Sequence, residues 1–436
     1  MSTPLYDALT QFAAKNPLRM AMPGHKGKPI PGLPAEYARL DFTELPPTGN
    51  LYGEDMDCIA QAEQAWAEAW GADSCLFLTG GSTQGVHTML MLSGSDTILT
   101  DRVSHRSIHT GLALLDKKPI WLTRPWLSHV GTAGPVEPEA VEAELNAHPE
   151  CRAVCVTSPT YYGVLSDIPA LAEVCHRHGA KLLVDGAHGA HLFLLGENPY
   201  RGADLVTVSA HKTLPAPGQS ALLFGNGITL DQLRQASLIF ATSSPSYPMM
   251  AALDALRPWL LAEGKQRYQE TAQMVAQLRK KYPALTETDT QLDPTRFTLC
   301  TENGDQVEKF LQAHHIWPEM ADSEHIVFIL TCADGVEEVE RLEQALDAFG
   351  LHGKIRPHST VSAPPLPQSV CTPREALFAP KETVDLAQAA GRIAAEQIAP
   401  YPPGVPIAAP GEQIDEKILA YLEQLGYNKM KTTVLR

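Results

Sequence analysis

The fold of this 436-residue chain is decided by two stretches, Val184-Asp185-Gly186-Ala187-His188 and Val208-Ser209-Ala210-His211-Lys212-Thr213-Leu214. Each stretch follows a short apolar run, at 180–184 and at 203–208, of the kind that forms a buried strand. The first run ends in a carboxylate, and the second leads to a lysine with a hydroxyl and an imidazole close by. In an open α/β sheet, ligands bind at the carboxyl ends of the strands. The two stretches therefore predict one site on an α/β fold.

The chemistry of this pair is typical of a pyridoxal 5'-phosphate (PLP) site. We expect Lys212 to bind the cofactor covalently, Asp185 to keep the cofactor's ring nitrogen protonated, and small polar residues to hold its phosphate. A Ser-x-His-Lys tetrapeptide on its own is more often a surface turn. The strand-terminal aspartate 27 residues upstream (212 − 185) favours the cofactor site.

A glycine-rich turn, Thr79-Gly80-Gly81-Ser82-Thr83-Gln84-Gly85, lies between a predicted strand at 75–78 and a predicted helix at 86–92. This order places backbone N–H groups and the hydroxyls of Ser82 and Thr83 at a helix N-terminus, where an anion binds well. Because the turn precedes the aspartate and lysine strands, it predicts the phosphate site.

Strands and helices alternate along the middle of the chain. The predicted strands cover 97–100, 119–122, 153–157, 181–185, 205–209 and 220–224, and the predicted helices cover 106–115, 138–147 and 168–178. Strands separated by helices of about ten residues indicate a mainly parallel sheet with helices on both faces.

Three regions are predicted from the distribution of these elements. An N-terminal arm covers 1–58, a large PLP-binding domain 59–255, and a smaller C-terminal α+β region 256–436, with a proline-rich linker near 357–367. A helical pattern from 249 to 282 is expected to break at Pro258. Two further helices are predicted at 372–399 and 412–425.

Composition excludes several classes of protein. The formal net charge of −16 and the absence of a basic run argue against a nucleic-acid partner. No window approaches 18 uninterrupted apolar residues, so we expect no membrane span. The eight cysteines contain no Cys-x-x-Cys pair, and the N-terminal residues have no signal-peptide pattern. We therefore expect a reduced, soluble, cytoplasmic protein without a metal site.

Several further motifs occur in a fixed order. They are Met22-Pro23-Gly24-His25-Lys26-Gly27, Gly81-Ser82-Thr83, Asp101-Arg102-x-x-His105-Arg106-Ser107, Pro159-Thr160-Tyr161-Tyr162-Gly163, Asp185-x-Ala187-His188-Gly189-Ala190-His191, Ser209-x-His211-Lys212-Thr213-Leu214, Ser244-Pro245-Ser246-Tyr247 and Tyr401-Pro402-Pro403-Gly404. In this order they resemble the bacterial ornithine/lysine/arginine decarboxylase family, a branch of the fold-type I PLP enzymes. The resemblance covers most of the chain and implies an aspartate aminotransferase-like large domain. The length is similar to that of the compact form, which lacks the N-terminal wing domain.

The resemblance implies roles for nine residues. Lys212 and Asp185 keep the roles given above, and His105 is expected to stack on the cofactor ring. The other expected cofactor contacts are Ser82, Thr83, His188, Ser209, His211 and, from the neighbouring subunit of a homodimer or larger homo-oligomer, Ser243. Two alternatives stay open: His105 as a surface loop histidine and Ser243 as a helix N-cap.

Two positions differ from the family pattern. Gly186 stands where members of this branch usually have glutamate, and Pro215-Ala216-Pro217-Gly218 stands where polar residues usually follow the lysine. Both differences lie close to the predicted cofactor site.

The resemblance implies decarboxylation of a basic amino acid (arginine, lysine or ornithine) to an amine and CO2, in polyamine metabolism. His211, Lys212 or a tyrosine such as Tyr161 is a candidate to protonate Cα. One alternative is an aminotransferase or lyase of the same fold. Most such aminotransferases hold the α-carboxylate with an arginine of the small domain, and Arg356 or Arg374 could be mistaken for it. Another alternative is a PLP-binding protein without catalytic activity.

Overall fold

The computed structural model describes residues 1–53, 56–399, 406–427 and 429–436. Its helices are α1 Pro4–Ala14, α2 Ala35–Leu40, α3 Cys58–Trp70, α4 Gly81–Leu92, α5 Arg106–Leu114, α6 Pro138–Ala147, α7 Ile168–Arg177, α8 Ala210–Thr213, α9 Leu230–Ser237, α10 Tyr247–Trp259, α11 Lys265–Lys281, α12 Gly304–Ala313, α13 Val336–Phe349, α14 Pro373–Phe378 and α15 Glu416–Gln424. Its strands are β1 Ser74–Leu78, β2 Thr97–Asp101, β3 Lys118–Leu122, β4 Trp126–Leu127, β5 Thr132–Ala133, β6 Ala153–Thr157, β7 Lys181–Asp185, β8 Leu205–Val208, β9 Ala221–Gly225, β10 Arg296–Cys300, β11 Met320–Ala321, β12 His325–Ile329, β13 Lys381–Asp385 and β14 Lys431–Leu435.

The central sheet has seven strands in the order β1-β9-β8-β7-β6-β2-β3. Strand β2 is parallel to β3 and to β6, whereas β9 is antiparallel to β1 and to β8. Strands β1, β8 and β9 are buried along their whole length, as expected for strands covered on both faces. The predicted α/β fold with a mainly parallel sheet is confirmed.

The chain divides into two compact units, the first of which comprises Met1–Leu92, Val184–Glu270 and Thr331–Ala333. In this unit the first helix of the arm is anchored on α10. The Asp254 carboxylate accepts hydrogen bonds from the backbone N–H groups of Leu5 and Tyr6, at 2.8 and 3.0 Å. Leu5 and Leu9 are completely buried. The start of the arm is therefore a packed helix, while residues 16–29 form no helix or strand.

The second unit comprises Ser93–Leu183, Thr271–Leu330 and Asp334–Arg436. It contains a small antiparallel sheet, β10-β12-β11. The apolar face of this sheet forms one core with residues of α11, α12 and α13, and the core includes Phe297 of β10 and Leu346 of α13. A separate core lies nearer the C-terminus, where β13 pairs with β14 and the buried side chains include Ile414 and Val434. The predicted domain boundaries at 58 and 255 stay a prediction.

The predicted helix at 372–399 is wrong. Helix α14 ends at Phe378, and strand β13 begins at Lys381. Pro380 explains the change, because the residue before a proline is disfavoured in the α conformation. The apolar spacing beyond it belongs to a strand and to irregular structure.

The predicted break in the helix at 249–282 has a different form. Helix α10 continues through Pro258 to Trp259, a π-helical segment follows at Leu260–Gly264, and α11 then runs to Lys281. Proline has no backbone N–H to donate. A widened turn of this kind tolerates the missing hydrogen bond without ending the helix.

Two further expectations concern the motif at 401–404 and membrane-spanning helices. The motif Tyr401-Pro402-Pro403-Gly404 lies outside the described residues. Within the described ranges, no helix is both long enough and apolar enough to cross a membrane.

Candidate active site

Lys212 lies on the short helix α8, directly after strand β8. Its Nζ atom is 3.2 Å from Nε2 of His188, and its backbone N–H bonds the Ser209 carbonyl at 3.2 Å. The hydroxyl of Tyr268, a completely buried side chain, donates to the carbonyl of Thr213 at the end of the same helix. The lysine therefore projects from a turn that is fastened at both ends.

Asp185 is the last residue of β7 and is 2% exposed. One of its carboxylate oxygens accepts a hydrogen bond from the backbone N–H of Ala187, at 3.2 Å. The Ala187 carbonyl in turn accepts from the backbone N–H of Ser209. The structure thus brings the aspartate turn and the lysine turn together, as the two strand ends predicted.

The glycine-rich turn supplies hydroxyl groups to the same unit. The hydroxyl oxygens of Ser82, in the first turn of α4, and of Ser209 are 2.8 Å apart. Gly81 has a φ of +71°, which favours glycine at the helix start. The Thr79 hydroxyl is buried and has no hydrogen-bond partner among the described residues. Thr83 is exposed.

Gly85, in the same motif, has a packing role. A Cβ atom at this position would lie 2.0 Å from Oγ1 of Thr207 and 2.8 Å from Cδ1 of Leu78. Helix α4 can approach strands β1 and β8 closely only because this side chain is absent. Such packing is the usual role of the last glycine in a strand–turn–helix motif.

The loop after the lysine connects it to the glycine-rich turn. Gln219, which has a φ of +77°, donates from its side chain to the Thr79 carbonyl. His211 donates from Nδ1 to the Ser220 carbonyl at 3.0 Å, which fixes the orientation of the ring. The segment Pro215–Gly218, where the chain departs from the family pattern, is the loop that carries Gln219 into this position.

The other departure, Gly186, has a steric explanation. A Cβ atom here would lie 3.0 Å from the hydroxyl oxygen and 3.1 Å from Cζ of Tyr200. Tyr200 is 2% exposed and stacks on Trp70, with ring centroids 5.6 Å apart. Any larger residue at position 186, including glutamate, would require this buried tyrosine to shift by a few tenths of an ångström.

His105 lies in the second unit, as the N-cap of α5. Its Nδ1 atom accepts a hydrogen bond from the backbone N–H of Ser107 at 3.2 Å and is 2.9 Å from the Ser107 hydroxyl. The residue is exposed. Capping fixes the orientation of the ring, and its predicted stacking on the cofactor stays a prediction.

A buried ion pair that the sequence analysis missed fastens the strand ends near His105. Both oxygens of Asp101 lie 3.0 Å from Nε of Arg124, and both side chains are completely buried. Arg124 also donates to the carbonyls of Gly134 and Thr157, and Asp101 accepts from the backbone N–H of Val103. The ends of β2 and β6 are thereby fixed to Arg124, the second residue after β3.

A buried hydrogen-bonded cluster supports the Tyr161–Tyr162 turn. The Tyr162 hydroxyl donates to Asp322 at 2.6 Å, and Asp322 also lies 3.1 Å from Nδ1 of His325. Nε2 of His325 is 2.7 Å from the Val130 carbonyl. Burial alone would lower the pKa of His325, but the Asp322 carboxylate and these hydrogen bonds raise it above its usual value. Both ring nitrogens therefore act as donors.

These tyrosines also line a cavity of about 500 Å³ within the second unit. Its walls are mainly apolar and aromatic, as is usual for a small-molecule site. Its charged lining residues are Arg102, Arg124, Asp305, Asp322 and His325.

Comparison with known proteins places this site in a family. The model of the Orn/Lys/Arg decarboxylase major domain matches residues 3–299, and the model of the C-terminal domain of the same family matches 358–431. The chain belongs to the Orn/Lys/Arg decarboxylase family. This result confirms the resemblance and makes the protein a decarboxylase.

Relatives and solved structures agree with the assignment. The decarboxylase is 30% identical to an arginine decarboxylase of Bacillus subtilis, over 96% of this chain and 93% of the relative. It is 23% identical to the constitutive lysine decarboxylase of Escherichia coli, over 84% and 67%. The lysine decarboxylase LdcF of Francisella novicida superposes with a TM-score of 0.83 at 20% identity, covering 100% of this chain and 81% of that one. The likeness to this structure confirms the predicted fold class.

Ser243 of the decarboxylase is exposed in the segment before α10. The N-cap of α10 is Ser246, so the alternative that Ser243 caps this helix is wrong. The predicted contact of Ser243 with a cofactor phosphate in a neighbouring subunit stays a prediction.

Two arginines considered as carboxylate ligands have structural partners. Arg356 donates to both oxygens of Asp289, with an Nη2–Oδ1 distance of 2.8 Å, and to the Ala284 carbonyl. Arg374 lies 3.4 and 3.2 Å from the carbonyls of Ala113 and Leu114. The Arg356 guanidinium is paired with a carboxylate, and that of exposed Arg374 bonds the C-terminal end of α5.

The residues of the first unit suit PLP by their donor chemistry. A buried carboxylate suits a protonated pyridine nitrogen, and an amine suits the aldehyde. The hydroxyl pair Ser82–Ser209 and the buried hydroxyl of Thr79, for which the described part of the chain offers no partner, suit a phosphate at the N-terminus of α4. No side chain in this set conflicts with the cofactor.

Proposed function

We propose that the protein decarboxylates a basic amino acid (arginine, lysine or ornithine) to the corresponding amine and CO2, with PLP as cofactor, in polyamine metabolism. One observation carries the proposal: the amine of Lys212 lies 3.2 Å from His188, on a turn bonded to the turn that follows the buried Asp185. The names of the relatives support the substrate class, since they include arginine and lysine decarboxylases.

PLP, when bound, would take up the electron pair that departing CO2 leaves on Cα. The task of Asp185 is to hold a proton on the ring nitrogen, and its burial strengthens this charge-assisted hydrogen bond. Ser82 and Ser209 would hold the phosphate, together with their sequence neighbours Thr83 and His211. His105 would limit the tilt of the ring.

Lys212 and His188 would handle the proton of the amine. A lysine attacks a carbonyl carbon only as the neutral amine, and an imidazole at 3.2 Å can accept the proton that the ammonium group must lose. Return of a proton to Cα falls to Lys212, His211 or Tyr161. Of these, Lys212 has His188 beside its amine to hold a proton, and it is the donor we favour.

The charge around the cavity of the second unit favours a cationic ligand over a neutral one. Arg102 is neutralised by Glu412, Arg124 by Asp101, and His325 by Asp322. Asp305 is the lining residue whose charge these pairs leave uncompensated. A guanidinium or ammonium group is attracted by such a net negative wall, and a neutral side chain is not.

The geometry disfavours transamination. An aminotransferase of this fold needs an arginine for the α-carboxylate, and Arg356 and Arg374 are both used structurally. A binding protein without activity would have no need of a histidine beside the lysine amine.

We propose, in addition, a cytoplasmic homodimer with shared sites. Among the described residues the eight cysteines form no disulfide, which suits a reducing compartment. The arm exposes Leu18, Met20 and Met22, and Leu238 and Ile239 are exposed near Ser243. Burial of these side chains by a second copy would stabilise the assembly. Mixing Lys212→Ala chains with Ser243→Ala chains should restore part of the activity, provided that each variant alone is impaired and subunits exchange.

The direct test is product analysis with purified PLP-loaded protein. Arginine, lysine, ornithine and several neutral amino acids are supplied one at a time, and amine and CO2 are measured. We expect stoichiometric amine and CO2 from a basic amino acid, and none from the Lys212→Ala control. A keto acid that forms only with a second amino-acid substrate would overturn the proposal.

A further inference from the structure

Arg102 joins the His105 turn to the C-terminal domain matched at 358–431. It follows β2 directly and lies three residues before His105. Its Nη1 and Nη2 atoms lie 2.5 and 2.7 Å from the two carboxylate oxygens of Glu412, and Nη2 also donates to the Ile407 carbonyl at 3.0 Å. Arg102 is 6% exposed and Glu412 1%. A buried, two-pronged ion pair of this kind fixes direction as well as distance.

Glu412 is presented from a turn that has little freedom. Its carboxylate also accepts from the backbone N–H of Ala409 at 2.6 Å. Gly411 has a φ of +92°, and a Cβ atom there would lie 2.2 Å from the Cys371 carbonyl oxygen. The Gly411 carbonyl accepts from the backbone N–H groups of Val370 and Cys371. The turn therefore holds the glutamate in one place.

The C-terminal domain also contacts the other end of the helix that His105 caps. The Arg374 guanidinium bonds the carbonyls of Ala113 and Leu114, which are C-terminal groups of α5. A cation at this end is favoured by the helix dipole. Arg102 consequently holds the segment that leads into helix α5, and Arg374 holds the C-terminal end of the helix.

We propose that Glu412 is a positioning residue for catalysis, through which the C-terminal domain sets the place of the His105 ring by way of Arg102. The inference rests on the proposed function, in which His105 stacks on the cofactor. None of the predicted site residues lies in the C-terminal domain, so this pair gives that domain a part in the reaction.

Geometry, more than stability, explains why the pair is present. Two apolar side chains of similar volume would fill the same space without the need to bury two charges. Such a pair would not define the direction of the Asp101–His105 turn, because dispersion contacts have no preferred hydrogen-bond axis. A purely structural pair and a positioning pair therefore respond differently to apolar replacement.

The first test compares Glu412→Gln with Glu382→Gln as a matched control. Glu382 forms a partly exposed ion pair with Arg392 in the same domain, at 2.6 Å. We expect kcat to fall by about 10- to 100-fold in Glu412→Gln, the cost of a small misplacement of a reacting group, with a smaller change in KM. The circular dichroism of bound PLP should change, and amide hydrogen exchange in α5 should accelerate in protein without cofactor. The control should match wild type in all three measurements.

The second test is the apolar double variant Arg102→Met/Glu412→Leu. We expect its melting temperature to recover relative to Glu412→Gln, while kcat and the circular dichroism of the cofactor stay altered. Recovery of kcat together with stability would show that the pair is only structural. Unchanged α5 exchange in Glu412→Gln would also overturn the proposal. Wild-type protein that neither binds PLP nor releases amine would refute the proposed function, and α5 exchange would still decide whether Glu412 controls the His105 helix.

Discussion

The Nζ atom of Lys212 lies 3.2 Å from the Nε2 atom of His188, across the two turns that follow β8 and β7. An ammonium group can only donate, so the imidazole accepts at Nε2 and, when neutral, carries its own proton on Nδ1. From the sequence, His188 was expected only to bind the cofactor. The geometry adds that His188 can hold the proton that the lysine must release and regain.

Covalent attachment of the cofactor to Lys212 is the first prediction. Borohydride reduction of the PLP-loaded enzyme should fix the label on this lysine, because its amine follows the strand end where the cofactor is expected. Peptide mass spectrometry locates the label. Its recovery on another lysine would refute the site assignment.

The second prediction concerns His188. Glutamine is similar in reach but cannot hold the transferred proton, so His188→Gln should lower kcat by about 10²- to 10⁴-fold, the usual contribution of acid–base catalysis. Steady-state kinetics with the identified substrate measure the change, and absorbance confirms that PLP remains bound. His148→Gln, which changes a surface histidine beside Glu144, serves as the control. Wild-type kcat in His188→Gln would remove the proton-holding role.

Asp185→Asn should keep the fold but bind PLP more weakly and lose most activity. An amide cannot hold the ring nitrogen protonated, and the lost charge-assisted hydrogen bond is worth about 1.5–3 kcal/mol. Cofactor titration and turnover are the measurements, with the surface variant Asp231→Asn in helix α9 for comparison. Near-normal turnover in Asp185→Asn is the result that contradicts the electron-sink role.

Gly85→Ala should destabilise the protein by about 1–3 kcal/mol through overpacking, since the new methyl group would collide with Thr207 and Leu78. Thermal unfolding measures the loss. Adding Thr207→Ala removes the nearest atom and should restore part of it. Gly218→Ala is a suitable control, because a Cβ atom there meets nothing within 4 Å. An unchanged melting temperature in Gly85→Ala would show that α4 can move away from β8.

The sequence was sufficient to predict the positions of residues that lie at or directly after the ends of strands. Asp185, Ser209 and Lys212 could be predicted together because strands of one sheet bring their ends to a common edge. Arg102–Glu412 could not, because 310 residues separate the partners and neither belongs to a periodic pattern. Arg124, which organises the ends of β2 and β6, gave no local signal for the same reason.

The predicted end of one helix is wrong because the effect of a proline on the residue before it was not applied. The helix predicted at 372–399 followed apolar spacing, although Pro380 lies within it and its effect on the preceding residue was readable from the sequence. The role of Gly85 was a different case, since a glycine-rich motif indicates both anion binding and close packing. The structure shows the second role for Gly85, and the anion-binding role of Ser82, whose hydroxyl lies 2.8 Å from that of Ser209, stays a prediction.

The last prediction is a pH dependence of stability from the buried His325–Asp322 pair. Since the folded protein raises the pKa of His325 above 6.5, its stabilising contribution is fully present below about pH 6.5 and is lost as pH rises through the folded-state pKa. The pKa of Asp322 is lowered from 3.8, so this carboxylate stays ionised at neutral and alkaline pH and does not reverse the trend.

His325→Gln should therefore cost most in acid to neutral solution. Removing one partner leaves the Asp322 charge buried, which costs about 3–5 kcal/mol where the imidazole is protonated. The free energy of unfolding of wild type and variant, measured by denaturant titration from about pH 6 to pH 9, should differ most at the lower end. A difference that grows with pH would mean that His325 is neutral in the folded protein. The Val130 carbonyl would then accept the single ring proton, and Asp322 would be stabilised by Tyr162 and backbone N–H groups alone.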